Sequence, residues 1–256
     1  MSRFCFTSIR FLLDVVFPLL CPSCEQRYPQ RDGLCLPCWN ELTSMNIGNI
    51  ASVAYCVHCS IPFNREKGIQ WCDSCIQMEY HRIPFSYQHE SLSLLVGKVK
   101  SSLYVAKFSH IYSYKRYWGR LLYNYMIHLK EKEYVYVLAP SKKREHLMDA
   151  IKKELGSYGI VNVYTFLRKK KNIQQKNLDW MERRRAQDGN IYIPKRSMKI
   201  VYGKRWIILD DIYTTGSTLY HSAKVLYEHG ALDVRSISLS MSIPPLMKSD
   251  FLEIMF

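Results

Sequence analysis

The sequence predicts an α/β fold, a parallel sheet with flanking helices, preceded by a small cysteine-rich unit. Three observations predict it. Eight of the nine cysteines fall in four C-x-x-C pairs in the first third of the chain. After Cys75 the cysteines stop, and β-branched or aromatic runs alternate with stretches of helical spacing. One of those runs, WIIL at Trp206–Leu209, ends in two adjacent acids and a Thr/Gly loop.

The 256 residues are 48% hydrophobic and 23% charged, which excludes a disordered chain and fits one large and one small domain. A formal charge of +14 points either to polyanionic partners or to a generally basic surface. At the N-terminus, MSRFCFTSIRFLLDVVFPLLC places Arg3 and Arg10 before an apolar run. Asp14 interrupts the run and no small-residue cleavage site follows, so residues 1–20 are expected to be an amphipathic segment packed on the body. No other stretch approaches the roughly 20 apolar residues that span a bilayer. A cytoplasmic, reducing location is expected, in which paired cysteines hold metal rather than each other.

The four pairs are Cys21/Cys24, Cys35/Cys38, Cys56/Cys59 and Cys72/Cys75. Each is a knuckle that aims two thiolates at one point, and two knuckles complete a tetrahedral structural zinc site. CPSCEQRYPQRDGLCLPC and CVHCSIPFNREKGIQWCDSC share a proline after the first knuckle and a glycine before the second. This internal repeat predicts a double zinc ribbon over 21–80 with two Zn²⁺ bound in tandem; interleaved pairing of first knuckle with third is the alternative. So short a segment buries little, and metal supplies most of its folding free energy. His58, between Cys56 and Cys59, is read as solvent-facing and not a ligand. Cys5 is read as a small buried hydrophobe.

The remaining residues, 81–256, carry the α/β pattern. IQMEYHRIPFSYQHE leads into a first strand. Leu92 to Phe108 repeats apolar residues at helical spacing, with Lys98, Lys100 and Lys107 among them. A second helix is predicted from about Tyr117 to Lys130. Around it, Tyr112, Tyr114, Tyr117, Trp118, Tyr123 and Tyr125 interleave with Lys115, Arg116 and Arg120. That cluster is either a core face or a stacking platform for single strands. Tyr134–Ala139 reads as a strand ended by Pro140, Glu145–Leu155 as a helix, and Ile160–Phe166 as a strand. Tyr202–Leu209 is the next strand, Ser217–Glu228 a helix stopped by Gly230, and Val234–Leu239 a strand.

Ligands of such sheets bind beyond the carboxyl ends of the strands. There stand Asp210 and Asp211, then Thr214, Thr215, Gly216, Ser217 and Thr218 leading into a helix. A helix start offers free N–H groups to a phosphate, and carboxylates beside it suit sugar hydroxyls or a metal. Together they describe a ribose 5-phosphate. DDIYTTGST resembles the signature of type I phosphoribosyltransferases, which bind phosphoribosyl pyrophosphate (PRPP). With the cysteine knuckles before it, the chain resembles the ComF family of competence-associated phosphoribosyltransferase-like proteins over almost its whole length. The stretch NIQQKNLDWMERRRAQDGNIYI, 172–193, resembles that family's flexible loop, with Gln175, Leu178 and Arg183 at matching positions.

The resemblance implies a type I phosphoribosyltransferase fold over 81–256. It also implies that PRPP binds with Mg²⁺, that Asp210 and Asp211 hold the ribose, and that Thr214–Thr218 hold the 5-phosphate. Lys142, Lys143 and Arg144 of LAPSKKREHL, with Gln175 and Arg183, would receive pyrophosphate. The family's Arg-Gly-Phe-Asn-Gln run is absent there, and Ala186 replaces its Asn. Implied partners are PRPP, single-stranded DNA, and a competence helicase or other DNA-uptake protein. Thirteen Lys and Arg between Arg168 and Arg205 face only Asp179, Glu182 and Asp188, as a phosphate-backbone track or a solvated basic face would. Three functions are therefore open: a ComF-like protein that assists DNA uptake in natural transformation, a nucleobase-salvage phosphoribosyltransferase, and a PRPP-sensing or DNA-binding zinc-ribbon protein without turnover.

Overall fold

A computed structural model describes residues 20–44, 46–47, 54–63, 70–77, 87–108, 112–129, 133–141, 146–160, 162–170 and 189–243. The N-terminal segment and Cys5 lie outside them, as do Lys142, Lys143, Arg144, Gln175, Leu178 and Arg183.

The cysteine-rich part holds helix α1 (Leu36–Ser44), the short pair β1 (Ala54–Tyr55) and β2 (Pro62–Phe63), and α2 (Asp73–Gln77). Then come β3 (Tyr87–Ser91), α3 (Gly97–Phe108), α4 (Tyr112–His128), β4 (Tyr134–Leu138), α5 (His146–Ser157) and β5 (Val163–Tyr164). A small antiparallel pair, β6 (Arg168–Lys169) and β7 (Ile191–Tyr192), flanks residues 171–188. Helix α6 (Met198–Val201), β8 (Arg205–Tyr213), α7 (Ser217–Glu228) and β9 (Asp233–Met241) complete the described chain.

The main sheet has the order β3-β9-β8-β4-β5, with every pairing parallel. From β4 the chain passes through α5 to β5 on one side; from β8 it passes through α7 to β9 on the other. The two crossovers also use opposite faces. Leu147, Ile151 and Leu155 of α5 pack with α3 and α4, whereas Leu219, Ala223 and Leu226 of α7 pack on the far face. The boundary between β4 and β8 is therefore the switch point of the sheet, where helices diverge and leave a crevice.

The cysteine-rich part straddles the β3 edge. Cys21, Cys35 and Cys38 pack with the α3–α4–α5 layer, and Cys56, Cys59, Cys72 and Cys75 with the α7 layer. Both parts close the outer edge of β3 and the residues after it. The His89 N–H donates to the His58 carbonyl at 2.7 Å, Ser60 Oγ donates to the His89 carbonyl at 2.9 Å, and Ile47 N–H donates to the Leu92 carbonyl at 3.0 Å.

Several boundaries differ from the sequence reading. Strand β8 does not stop at Leu209 but runs through both acids to Tyr213, because β9 continues alongside it as far as Met241. Helix α3 starts at Gly97 rather than Leu92, since Leu92 and Leu94 bond to Ser238 and bridge Met241 beyond the end of β3. Helix α4 starts at Tyr112, earlier than predicted. Its Tyr114, Tyr117 and Trp118 are buried, with Tyr123 and Tyr125 half-buried against them, so these five rings belong to the core and form no exposed platform. Among the described residues no helix is long and apolar enough to cross a membrane.

Candidate functional site

Two clusters of four cysteines are formed, Cys21/Cys24/Cys35/Cys38 and Cys56/Cys59/Cys72/Cys75, with the sulfurs of each within 4.8 Å of one another. The ligation is thus tandem, not interleaved. Cys24 Sγ lies 3.7 Å from Cys35 Sγ, and Cys59 Sγ lies 3.7 Å from Cys72 Sγ. A tetrahedron with Zn–S bonds of about 2.3 Å has sulfur edges of about 3.8 Å, so the thiols fit zinc, whereas a disulfide needs contact near 2 Å. Outer contacts orient the sulfurs: the Cys72 N–H donates to Cys56 Sγ at 3.4 Å, and Lys98 Nζ donates to Cys38 Sγ at 3.5 Å and to Glu41 at 2.6 Å. His58 is no ligand, but it is not solvent-facing either. The Cys56/Cys59 knuckle packs with the α7 layer, and His58 is buried, stacked on Trp71 and edge-on to Tyr87.

The second site lies at the switch point. Strand β4 ends at Leu138 opposite Leu209, while β8 continues to Tyr213, so one edge of residues 210–213 has no β4 partner. Neighbouring strand residues point to opposite faces, and the two acids separate accordingly. Asp210 is half-buried, and its Oδ1 accepts the Asp211 N–H at 2.9 Å. Asp211 is buried on the other face: its Oδ1 accepts the Ile212 N–H at 2.7 Å, and its Oδ2 pairs with Lys107 Nζ at 2.5 Å. The two acids therefore differ in burial and in the partners that hold them. Lys107, the basic residue of the last turn of α3, was counted in the sequence only as helical charge.

Thr214 is exposed, Thr215 and Ser217 are buried, and Thr218 is half-buried at the start of the 12-residue α7. The loop and Asp210 line a crevice of about 40 Å³. That is the scale of one or two waters, and of one phosphoryl group rather than a nucleotide. Lys169, at the base of the β6–β7 pair, donates to Thr218 Oγ1 at 3.4 Å. Gly216 has φ +69°, and a Cβ there would lie 2.6 Å from the Tyr213 hydroxyl. Gly216→Ala is expected to cost at least about 1–2 kcal/mol in urea unfolding, since left-handed backbone and a blocked Cβ act together.

Tyr213 is itself held from below. Its ring stacks on His89, with centroids 4.0 Å apart and planes at 17°. His89 is fully buried, with Nδ1 at 2.8 Å from Ser236 Oγ and Nε2 at 2.8 Å from Ser91 Oγ. Ser236 Oγ also hydrogen-bonds the Tyr87 hydroxyl at 2.7 Å, and Tyr87 abuts His58. A continuous buried path thus links the second cysteine cluster to Gly216. Burial holds the His89 imidazole well below the usual histidine range, with repulsion from His58 adding to it. Burial likewise pushes the Tyr87 hydroxyl up.

The His89 shift has a pH consequence. The folded state keeps His89 neutral, and the unfolded chain takes the proton near pH 6.5. The stabilisation is therefore complete above about pH 6.5 and is lost as pH falls toward the folded-state value, by up to about 1.4 kcal/mol per pH unit. Urea melts between pH 5 and pH 7.5, read against His89→Gln with zinc content monitored, check this; the variant is expected to lose that one-proton slope. The alternating serines of SISLS, 236–240, were the sequence signal for this polar sheet face.

A family profile described as Double zinc ribbon domain matches residues 12–76. No curated protein sequence matches the chain. Among solved structures, a phosphoribosylpyrophosphate synthetase from Mycobacterium smegmatis is 17% identical, with 61% of this chain and 41% of that chain covered and a TM-score of 0.32. The chain thus spans well under half the length of that protein. A phosphoribosyltransferase from Corynebacterium diphtheriae is 19% identical over 59% of this chain and 74% of its own, with a TM-score of 0.35. A purine phosphoribosyltransferase from Pyrococcus horikoshii Ot3 is 17% identical over 49% and 74%, with a TM-score of 0.32.

Proposed function

We propose that this chain is a ComF-like cytoplasmic protein that binds PRPP with Mg²⁺ and also single-stranded DNA, in support of DNA uptake during natural transformation. One observation carries the PRPP part. The run Asp210–Thr218 occupies the switch point of a parallel sheet, with a phosphoryl-sized crevice at a helix start and a half-buried carboxylate beside it. The 5-phosphate sits on the loop N–H groups and the hydroxyls of Thr214–Thr218, next to Lys169. Asp210 accepts from the ribose hydroxyls along the open edge of β8. Asp211 fixes the strand through Ile212 and Lys107 rather than gripping the sugar.

Pyrophosphate falls to Lys142, Lys143 and Arg144 and to Gln175 and Arg183. Mg²⁺, when bound with PRPP, neutralises charge on the pyrophosphate. If turnover occurs, Asp210 favours the positive charge that develops at the anomeric carbon as pyrophosphate leaves. The basic surplus of residues 168–205 supports the DNA part.

Thermal denaturation with PRPP and Mg²⁺ tests the reading. A ligand at about a hundred times its Kd adds about 2.7 kcal/mol to the native state, a shift of several degrees. No shift with PRPP, or an equal shift with ribose-free pyrophosphate, overturns it. Pyrophosphate release with a free nucleobase would reassign the chain to salvage.

A further inference from the structure

We infer that Tyr104 and Phe108 on α3 form a stacking platform for unpaired bases of single-stranded DNA, beside the Asp210–Thr218 site. The inference rests on the single-strand part of the reading above and gives that part a surface. Large aromatic side chains are normally covered, yet Tyr104 is 46% exposed and Phe108 is 75% exposed. They stand one helical turn apart, with ring centroids separated by 6.2 Å and planes at 36°. Lys100, one turn earlier on the same stripe, is exposed too.

Charge favours a polyanion there. Helices α3 and α4 carry Lys98, Lys100, Lys107, Lys115, Arg116 and Arg120 and no acid at all. Lys98, Lys107 and Arg120 pair with Glu41, Asp211 and Asp32 on other elements. Lys100 and Arg116 are exposed and form no ion pair among the described residues. Rings with flanking cations stack bases without regard to sequence, and only unpaired bases offer their faces. The stripe is too polar for a self-association seam, since Lys100 and Ser101 border the rings. Its position matters as well: Lys107 ties the last turn of α3 to Asp211, the strand neighbour of the crevice-lining Asp210.

Fluorescence anisotropy with a labelled oligo(dT) of about 20 nucleotides tests this across a salt series. The double variant Tyr104→Ala with Phe108→Ala is expected to bind about tenfold to a hundredfold more weakly, with an unchanged salt slope. Phe108→Tyr is expected to bind like the parent, and Phe108→Leu to bind more weakly, which separates stacking from apolar contact. Lys100→Gln is expected to lower the salt slope by about one. The PRPP shift of the ring variants is expected to equal the parent's, so failure of the PRPP reading would show separately, as a missing shift in the parent. Parent-like DNA binding by the double variant overturns the platform. So does equal affinity for duplex, tighter binding of oligo(U), or a change in sedimentation that marks the rings as a contact between two copies.

Discussion

Chelation is expected to release two zinc ions per chain and to abolish the PRPP-dependent rise in melting temperature. Eight cysteines in two clusters set the stoichiometry, which elemental analysis reads directly. The energetic reason is the thin core around the metal. Among the described residues, Leu34 and Leu42 in the first ribbon and Ile61 in the second are the large aliphatic side chains with no exposure. Three such side chains supply about 5–9 kcal/mol of burial, against an ordering cost of about 1–2 kcal/mol for every residue fixed. Structural zinc contributes about 10–16 kcal/mol per site in small zinc peptides, so it dominates. The two clusters are expected to differ. Cys56→Ser removes one zinc and loosens His58, and with it the Tyr87–Ser236–His89–Tyr213 path under Gly216. Cys21→Ser removes one zinc from the opposite face, and the PRPP shift is expected to persist. A chelated protein with an unchanged melting curve and PRPP shift would refute the coupling.

Asp210→Asn is expected to remove the PRPP shift while leaving the melting temperature of the free protein within about a degree. The side chain is half-buried, and its bond to the next backbone N–H is kept, because the amide oxygen still accepts it. Asp211→Asn is expected to do the reverse. It removes the charge opposite Lys107, which is 23% exposed and can turn partly to water, so the loss is about 1–2 kcal/mol rather than that of a fully buried pair. Much of the PRPP shift survives in that variant unless the strand itself moves. Parallel thermal scans of both variants, with and without PRPP and Mg²⁺, resolve the two roles. Equal loss of the shift in both would return the acids to a shared grip on the ribose.

How much of this was legible in the sequence depended on the range of the interactions. The C-x-x-C spacing fixes two thiolates within one turn, so both clusters could be read without coordinates. The helix Ser217–Glu228 was legible at both ends, because a Thr/Gly loop starts it and Gly230 stops it. The end of β8 was not. Two acids look like the end of an apolar run, and only the neighbour β9 holds them in the ladder. The split between Asp210 and Asp211 likewise depends on Lys107, more than a hundred residues earlier. The burial of His58 has no local signal, because a short knuckle residue looks exposed until a sheet is placed beneath it. The aromatic cluster of α4 and the exposed pair on α3 have similar composition, and burial alone tells core from surface.

The closure of β3 carries a consequence for how the chain behaves when metal is scarce. A bare outermost strand invites pairing with any similar strand it meets, and many proteins blunt such flanks with charge or proline. Here the carbonyl of His58 and the hydroxyl of Ser60, both set in place by a zinc knuckle, cover that flank, helped by Ile47 from the other ribbon. Newly made chains waiting for zinc would therefore be prone to polymerise strand to strand, the more so the more concentrated they are.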